Sequence, residues 1–234
     1  MLMEILAGAS CGAAGLMAYG VRGRSARLFG ASVWRGPDSR PSIALTFDDG
    51  PSESTPALLE LLEQNGVRAT FFQCGVNVRR LPEIARQVAA AGHEIGNHSH
   101  THPRFWFRWR RFFQDELERA QAAIRETTGV APRLFRAPDG TRWPGLGVAQ
   151  EEQKLLGVMW TVIGRDWALP AERITRRLLG GARNGAILCL HDGCRVEPQP
   201  DVRRMLEAVR RLLPELQARG FGFETVSELL CPRN

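Results

Sequence analysis

The sequence predicts an α/β fold in which a parallel β-sheet, with helices between its strands, closes into a barrel. From Pro41 onward, short apolar runs bounded by turn residues alternate with stretches of helical periodicity. Such βα alternation sets the strands parallel. Polar residues fall at the C-terminal ends of the runs, where βα barrels gather their chemistry. With 234 residues, 44% of them hydrophobic, and no evident linker, the chain can bury one substantial core.

Residues 42–47 read as the first strand, ended by Asp48, Asp49, Gly50 and Pro51. Ser54 then caps a helix with apolar Leu58, Leu59, Leu61 and Leu62, which Asn65-Gly66 stops. A strand at 69–73 precedes a helix at 81–91, with Pro82 in its first turn and Gly92 at its end. A short strand at 94–96 leads into a histidine cluster. The helix at 114–128 is closed by Gly129 and followed by a strand at 133–136. Apolar runs at 157–161, 186–190 and 221–225 alternate with helices at 171–179 and 202–219. The polar residues at strand ends are Asp48 and Asp49, then His98 and His102, then Arg136, Asp166 and His191.

The formal net charge is +6, but Lys154 is the only lysine and the arginines are scattered among acids on helical segments. That pattern does not mark a nucleic-acid surface, so no nucleic-acid partner is expected, and no obligate protein partner is evident. Cys11, Cys74, Cys189, Cys194 and Cys231 lack zinc-ribbon spacing. Cys74 and Cys189 lie in strand-like runs and read as buried thiols.

Residues 1–40 form an N-terminal segment ahead of a domain at 41–230. Within it, 5–19 is rich in Ala, Gly and Leu, and Arg22, Arg24 and Arg27 follow. A cleavable signal would carry positive charge before its apolar core, where only Glu4 stands. Two readings stay open: a membrane anchor at the lower limit of the roughly 17–25 residues needed to span, or a helix packed on the domain. Insertion would leave the domain in the cytoplasm, given the arginines on the C-terminal side. The location is thus membrane-associated or cytoplasmic, with the cell envelope a further option.

His98, Ser99, His100, Thr101 and His102 put two histidines four residues apart, on one face if the segment makes a helical turn. Two imidazoles and a carboxylate leave open positions on a zinc-like ion. Alone, such a pentapeptide is equally a solvated polar loop. The adjacent Asp48 and Asp49 at the end of an apolar strand add weight, because two neighbouring buried carboxylates need a cation to neutralise one of them.

Thr46-Phe47-Asp48-Asp49-Gly50-Pro51, the run from Gly92 to His102, Arg136-Ala137-Pro138, Asp166-Trp167 and Leu190-His191-Asp192 follow one another in order. Together they resemble the five motifs of the NodB-like polysaccharide deacetylases, carbohydrate esterase family 4, over about 41–230. The resemblance implies a distorted (β/α)7–8 barrel and a metal-dependent hydrolase that removes N-acetyl groups from amino sugars of a polysaccharide, oligosaccharide or glycolipid. It implies a divalent metal, zinc or cobalt, on Asp49, His98 and His102. Asp48 is then the general base, held by Arg136, and His191 the general acid, oriented by Asp166. Pro138, Asp139, Trp167 and Leu190 fall in the substrate-binding set, with Trp167 and Leu190 on the acyl pocket.

Two departures stand out. Asp139 occupies a place where the family usually has an aromatic residue, and Ile163 a place where it usually has an aspartate. Asp139 keeps alive a same-fold amidase acting on a non-sugar amide or cyclic imide. A non-catalytic carbohydrate-binding protein is a further alternative. Singly, Asp192 as a turn cap, Trp167 as core and Arg136 as partner to any acid are the structural readings.

Residues 104–113 hold four arginines, Arg104, Arg108, Arg110 and Arg111, and six aromatic residues. Either the rings pack on the barrel and the arginines pair with Asp115, Glu116 and Glu118, or the segment meets a membrane surface.

Overall fold

In a computed structural model that describes residues 2–231, and side chains from residue 12 onward, the chain folds around one strand that is buried along its whole length. The elements run α1 (Leu2–Arg22), β1 (Ser32–Val33), β2 (Ser42–Gly50), α2 (Thr55–Gln64), β3 (Thr70–Gln73), α3 (Gly75–Arg80), α4 (Pro82–Ala90) and β4 (Glu94–Asn97). Then come α5 (Arg110–Thr128), β5 (Leu134–Phe135), a 3-10 turn (Pro138–Gly140), α6 (Leu146–Glu152), β6 (Leu156–Val158) and β7 (Val162–Ile163). The chain continues through α7 (Ala171–Gly181), β8 (Ile187–His191), α8 (Arg203–Ala218), β9 (Gly222–Phe223) and α9 (Val226–Leu230).

The strands lie in the order β1-β6-β5-β4-β3-β2-β8-β7, with β9 beside the start of β2, and every strand pair is parallel. The sheet curls into the expected distorted barrel, but its edge strands β1 and β7 do not pair. Both are two residues long, too short for a ladder. Thr161 bridges the seam instead: its hydroxyl donates to Trp34 O (3.1 Å) and accepts from Ile187 N (3.0 Å).

Alternation along β2 separates two cores. Ile43, Leu45 and Phe47 pack outward with the leucines of α2 and with Met205, Val209, Leu212 and Leu216 of α8. The α8 residues recur at helical spacing and bury one face of an otherwise charged helix. Ala44 faces inward with Phe72, Leu134, Val158 and Ile187, closed below by Val226 and Leu229 of α9. Thr46 and Asp48 continue that inward face, so the barrel interior passes from apolar at its base to charged at the C-terminal end of β2.

The sequence reading omits β1, α3, α6, β7 and α9, all too short to show periodicity, and its strand at 157–161 is shorter in the structure, where β6 ends at Val158. Part of the segment assigned to 1–40 is built into the sheet, because β1 pairs with β6. Of α1, residues 12–19 are exposed and only Gly20 and Val21 are buried, so packing is confined to its end; side chains before residue 12 lie outside the described set. No described helix is long and apolar enough to cross a membrane.

The aromatic segment divides. Phe105 and Phe113 are fully buried with Leu117, Phe135, Leu146 and Leu155, whereas Phe107 and Trp109 are 79% and 86% exposed. In chemical denaturation, Phe105→Ala should cost about 3–5 kcal/mol through the cavity it leaves, and Trp109→Ser no more than about 0.5 kcal/mol.

Candidate active site

The end of β2 is bent on purpose. The β2–β3 register shifts between Asp48 and Gly50, and Asp49 takes a φ of 71°, turning its carboxylate out of the strand's alternation beside that of Asp48. His98 follows β4, and the turn to His102 is not helical: Ser99 and His102 both have positive φ (64° and 52°). Local polar bonds impose this shape. Asn97 Oδ1 accepts from Ser99 N (2.8 Å) and Ser99 Oγ from His102 N (3.2 Å). Glu116, buried on α5, accepts from His100 N (3.0 Å), Thr101 N (2.8 Å) and the Thr101 hydroxyl (2.9 Å). His100 turns away to pack against Gly75.

Asp49 Oδ1 lies 3.1 Å from both His98 Nε2 and His102 Nε2. His98 Nδ1 is 2.7 Å from the Arg136 carbonyl, which can only accept, so Nδ1 carries a proton and Nε2 is the nitrogen turned to Asp49. Asp49 Oδ2 is taken by Arg195 N (2.7 Å), which leaves the buried Oδ1 to the two imidazoles. One proton on His102 could relieve one of these contacts but not both. A cation among the three atoms relieves both, so the residues fit a divalent metal, and the His98–Arg136 bond is the outer contact that fixes a liganding imidazole.

Arg136 is fully buried, and its Nη1 donates to Asp48 Oδ1 (2.6 Å) and to the Thr46 hydroxyl (2.8 Å). Its other nitrogens reach Val158 O (3.1 Å) and Met159 O (3.3 Å), and the guanidinium sits 4.1 Å from the Phe72 ring centre. A buried guanidinium needs this set of partners. Cys189 Sγ approaches the other oxygen, Asp48 Oδ2, at 3.4 Å; burial pushes the thiol well up, so it stays protonated and donates.

Across the site, Asp166 Oδ1 is 2.9 Å from His191 Nδ1 and its Oδ2 accepts from His191 N (2.8 Å). Burial pushes the imidazole down, but the Asp166 charge and hydrogen bond, helped by Asp49 and Asp48, raise it to about 10. Trp167, 59% exposed, stands edge-on to His191 at 5.1 Å. Asp192 is buried against Gly50 and accepts from the Thr55 hydroxyl (2.6 Å); burial lifts its carboxyl to about 7.

A cavity of about 720 Å³ opens over these groups, lined by Asp48, Asp49, His98, His102, Asp166 and His191. Asp139 and Trp167 also line it, as the sequence reading places them. Leu190 and Pro138 do not: Leu190 packs in the outer core with Phe47, because alternate residues of β8 face opposite ways, and Pro138 is buried beneath its turn. Cys189, two residues before His191, holds the inward position instead. Ile163 lines the wall, and Arg195 reaches Asp139 at 3.7 Å across the mouth. Among the described residues, five of the eight non-glycine residues with positive φ, namely Asp49, His102, Asp139, Arg165 and Arg195, line this one cavity, concentrating backbone strain around it.

A family model for polysaccharide deacetylases matches residues 35–155. Over 195 residues the chain is 38% identical to a chitooligosaccharide deacetylase of Azorhizobium caulinodans, covering 80% of this chain and 93% of that one. The chain belongs to the polysaccharide deacetylase family. Another member, a peptidoglycan-N-acetylglucosamine deacetylase of Bacillus cereus, is 36% identical over 86% of this chain and 93% of its own. Among solved structures, a peptidoglycan N-acetylglucosamine deacetylase superposes with a TM-score of 0.80 at 30% identity, covering 86% of this chain and 92% of that one. A carbohydrate esterase family 4 pseudoenzyme from Bacillus anthracis superposes almost as well, at 0.79 and 26% identity over 87% of this chain and 70% of that one. Backbone likeness to the family therefore does not decide activity, and the side chains must.

Glu116 holds the histidine turn without touching the metal site. Glu116→Ala should weaken divalent-metal affinity in a chelator competition by roughly 10–100-fold, as loss of a group that orients the ligands does, with the fold retained by circular dichroism.

Proposed function

We propose that this polysaccharide deacetylase is a zinc-dependent enzyme that hydrolyses the N-acetyl group of an amino sugar in a glycan, with Asp48 as general base and His191 as general acid. The observation that carries it is the placement of two independently braced groups, Asp48 on Arg136 and His191 on Asp166, beside the Asp49, His98 and His102 cluster.

Zinc suits two imidazoles and one carboxylate, and when bound it would acidify water and take up charge on the acetyl oxygen. The chain's own groups handle the protons. Arg136 holds and aims the Asp48 carboxylate, which as general base accepts a proton from water. Asp166 occupies His191 Nδ1, which leaves Nε2 to protonate the amine nitrogen as it departs. The field of Asp166, Asp49 and Asp48 keeps that imidazole charged before the reaction. A cation at Asp49 would cancel part of that field and bring the value down toward the working range. Trp167 beside His191 is positioned to border the acetyl group.

Zinc ligands, base and acid are all present, which argues against a non-catalytic relative. The non-sugar amide reading rests on Asp139, whose charge is partly offset by Arg195. The named relatives are a chitooligosaccharide deacetylase and a peptidoglycan-N-acetylglucosamine deacetylase, and deacetylation of a glycan is what the two names share.

Acetate release from chitooligosaccharide and peptidoglycan fragments should require metal and stop on chelation. Activity untouched by chelation, or none on either substrate with zinc restored, would sink the proposal. Asp48→Asn and His191→Ala should each lower kcat by roughly a hundredfold or more with zinc still bound; loss of zinc from Asp48→Asn would reverse the roles of the two aspartates.

The protonated form of His191 is the active one, so the rate should fall as pH rises through its pKa. Asp166→Asn removes a group that raises this pKa, and the alkaline limb of the kcat profile should therefore move to lower pH. An unmoved limb would assign it to another group.

A further inference from the structure

Among the described residues, seven of the nine large hydrophobic side chains left exposed come from two neighbouring segments: Leu16, Met17 and Tyr19 of α1 with Leu28 after it, and Trp106, Phe107 and Trp109 after His102. The segments form one surface. The Arg22 guanidinium lies 5.0 Å over the Trp106 ring, and Phe107 packs on Trp143 at 4.7 Å. Next to Trp143, Arg142 donates from its backbone N to Val21 O (3.1 Å) and from its side chain to Ala26 O (2.7 Å) and Gly23 O. A patch of this kind on a folded chain marks an interaction surface.

The charge around it indicates the occupant. Arg22, Arg104, Arg108 and Arg111, on the same two segments, are exposed. Arg22, Arg104, Arg108 and Arg111 have no carboxylate in ion-pair contact among the described residues. Tryptophan interleaved with arginine suits the headgroup boundary of an anionic bilayer, where the rings enter the boundary and the guanidiniums meet phosphate. In sequence, α1 carries only Glu4 and Arg22 as charged residues over 21 residues, so it brings little charge of its own to the apolar surface.

We propose that α1 and the Trp106–Trp109 loop together dock this protein on an anionic lipid surface. The loop begins just after His102, and Arg142 ties α1 to the turn that carries Asp139; both His102 and Asp139 line the cavity. Docking would therefore hold the cavity mouth beside the bilayer, within reach of an amino sugar carried on a lipid. The proposal does not depend on the reaction assigned above.

The full chain should co-sediment with phosphatidylcholine vesicles containing phosphatidylglycerol, bind pure phosphatidylcholine less, and release with salt. Phe107→Ser/Trp109→Ser and Leu16→Ser/Met17→Ser should each weaken binding to the anionic vesicles by roughly tenfold or more, given the apolar area removed. Both pairs alter exposed side chains, so circular dichroism and acetate release from a soluble chitooligosaccharide should stay as in the parent. No vesicle binding by the full chain would overturn the proposal. So would a loop variant that binds like the parent, or a dimer in light scattering that the loop substitutions dissolve without any vesicle binding.

Discussion

A guanidinium sealed from water must find fixed acceptors for its donors, and at Arg136 this requirement organises the whole catalytic end of the barrel. Its side chain gathers Asp48 and Thr46 from β2 and the carbonyls of Val158 and Met159 at the end of β6, on strands that are not sheet neighbours. Its own carbonyl accepts from His98. One residue thus fixes the Asp48 carboxylate through its side chain and the His98 imidazole through its main chain. The separation between these two groups is set within a single residue's geometry.

That arrangement divides the carboxylates by environment. Asp48 has Arg136 and a neutral thiol; Asp49 has one backbone N–H on one oxygen and two imidazole nitrogens beside the other; Asp192 accepts from the Thr55 hydroxyl and is pushed toward neutrality by burial. Three carboxyls on adjoining strand ends therefore carry different amounts of compensation: Asp49 and Asp192 each keep one buried oxygen without a hydrogen-bond partner, and that of Asp49 is the one that faces two imidazole nitrogens.

Much of this was legible in the sequence because it was written as chemistry at strand ends: paired aspartates after an apolar run, two histidines four apart, a histidine after another apolar run. What sequence spacing could not show was tertiary support. Glu116 is one acid among several on α5 until the fold sets it beneath the histidine turn. Cys189 reads as a core thiol, and only the facing of β8 brings it to Asp48 and takes Leu190 away. The four-residue histidine spacing suggested a helical turn, but positive-φ residues held by Asn97, Ser99 and Glu116 achieve the convergence. Likewise, βα alternation announced a barrel, while the hydroxyl seam at Thr161 depends on strands too short to leave a periodic trace.

The segment from His191 to Arg195 serves two masters. It begins with the histidine that faces the cavity and ends, four residues on, with the backbone N–H that holds Asp49 Oδ2; Gly193 between them packs against the Asp49 main chain. Its length is consequently fixed. One residue added or removed there would shift the histidine relative to the Asp49 anchor. The stretch beyond it, up to the start of α8, carries no such double constraint from these two anchors. Variation in loop length that adapts this barrel to different glycans is more easily accommodated after Arg195 than before it.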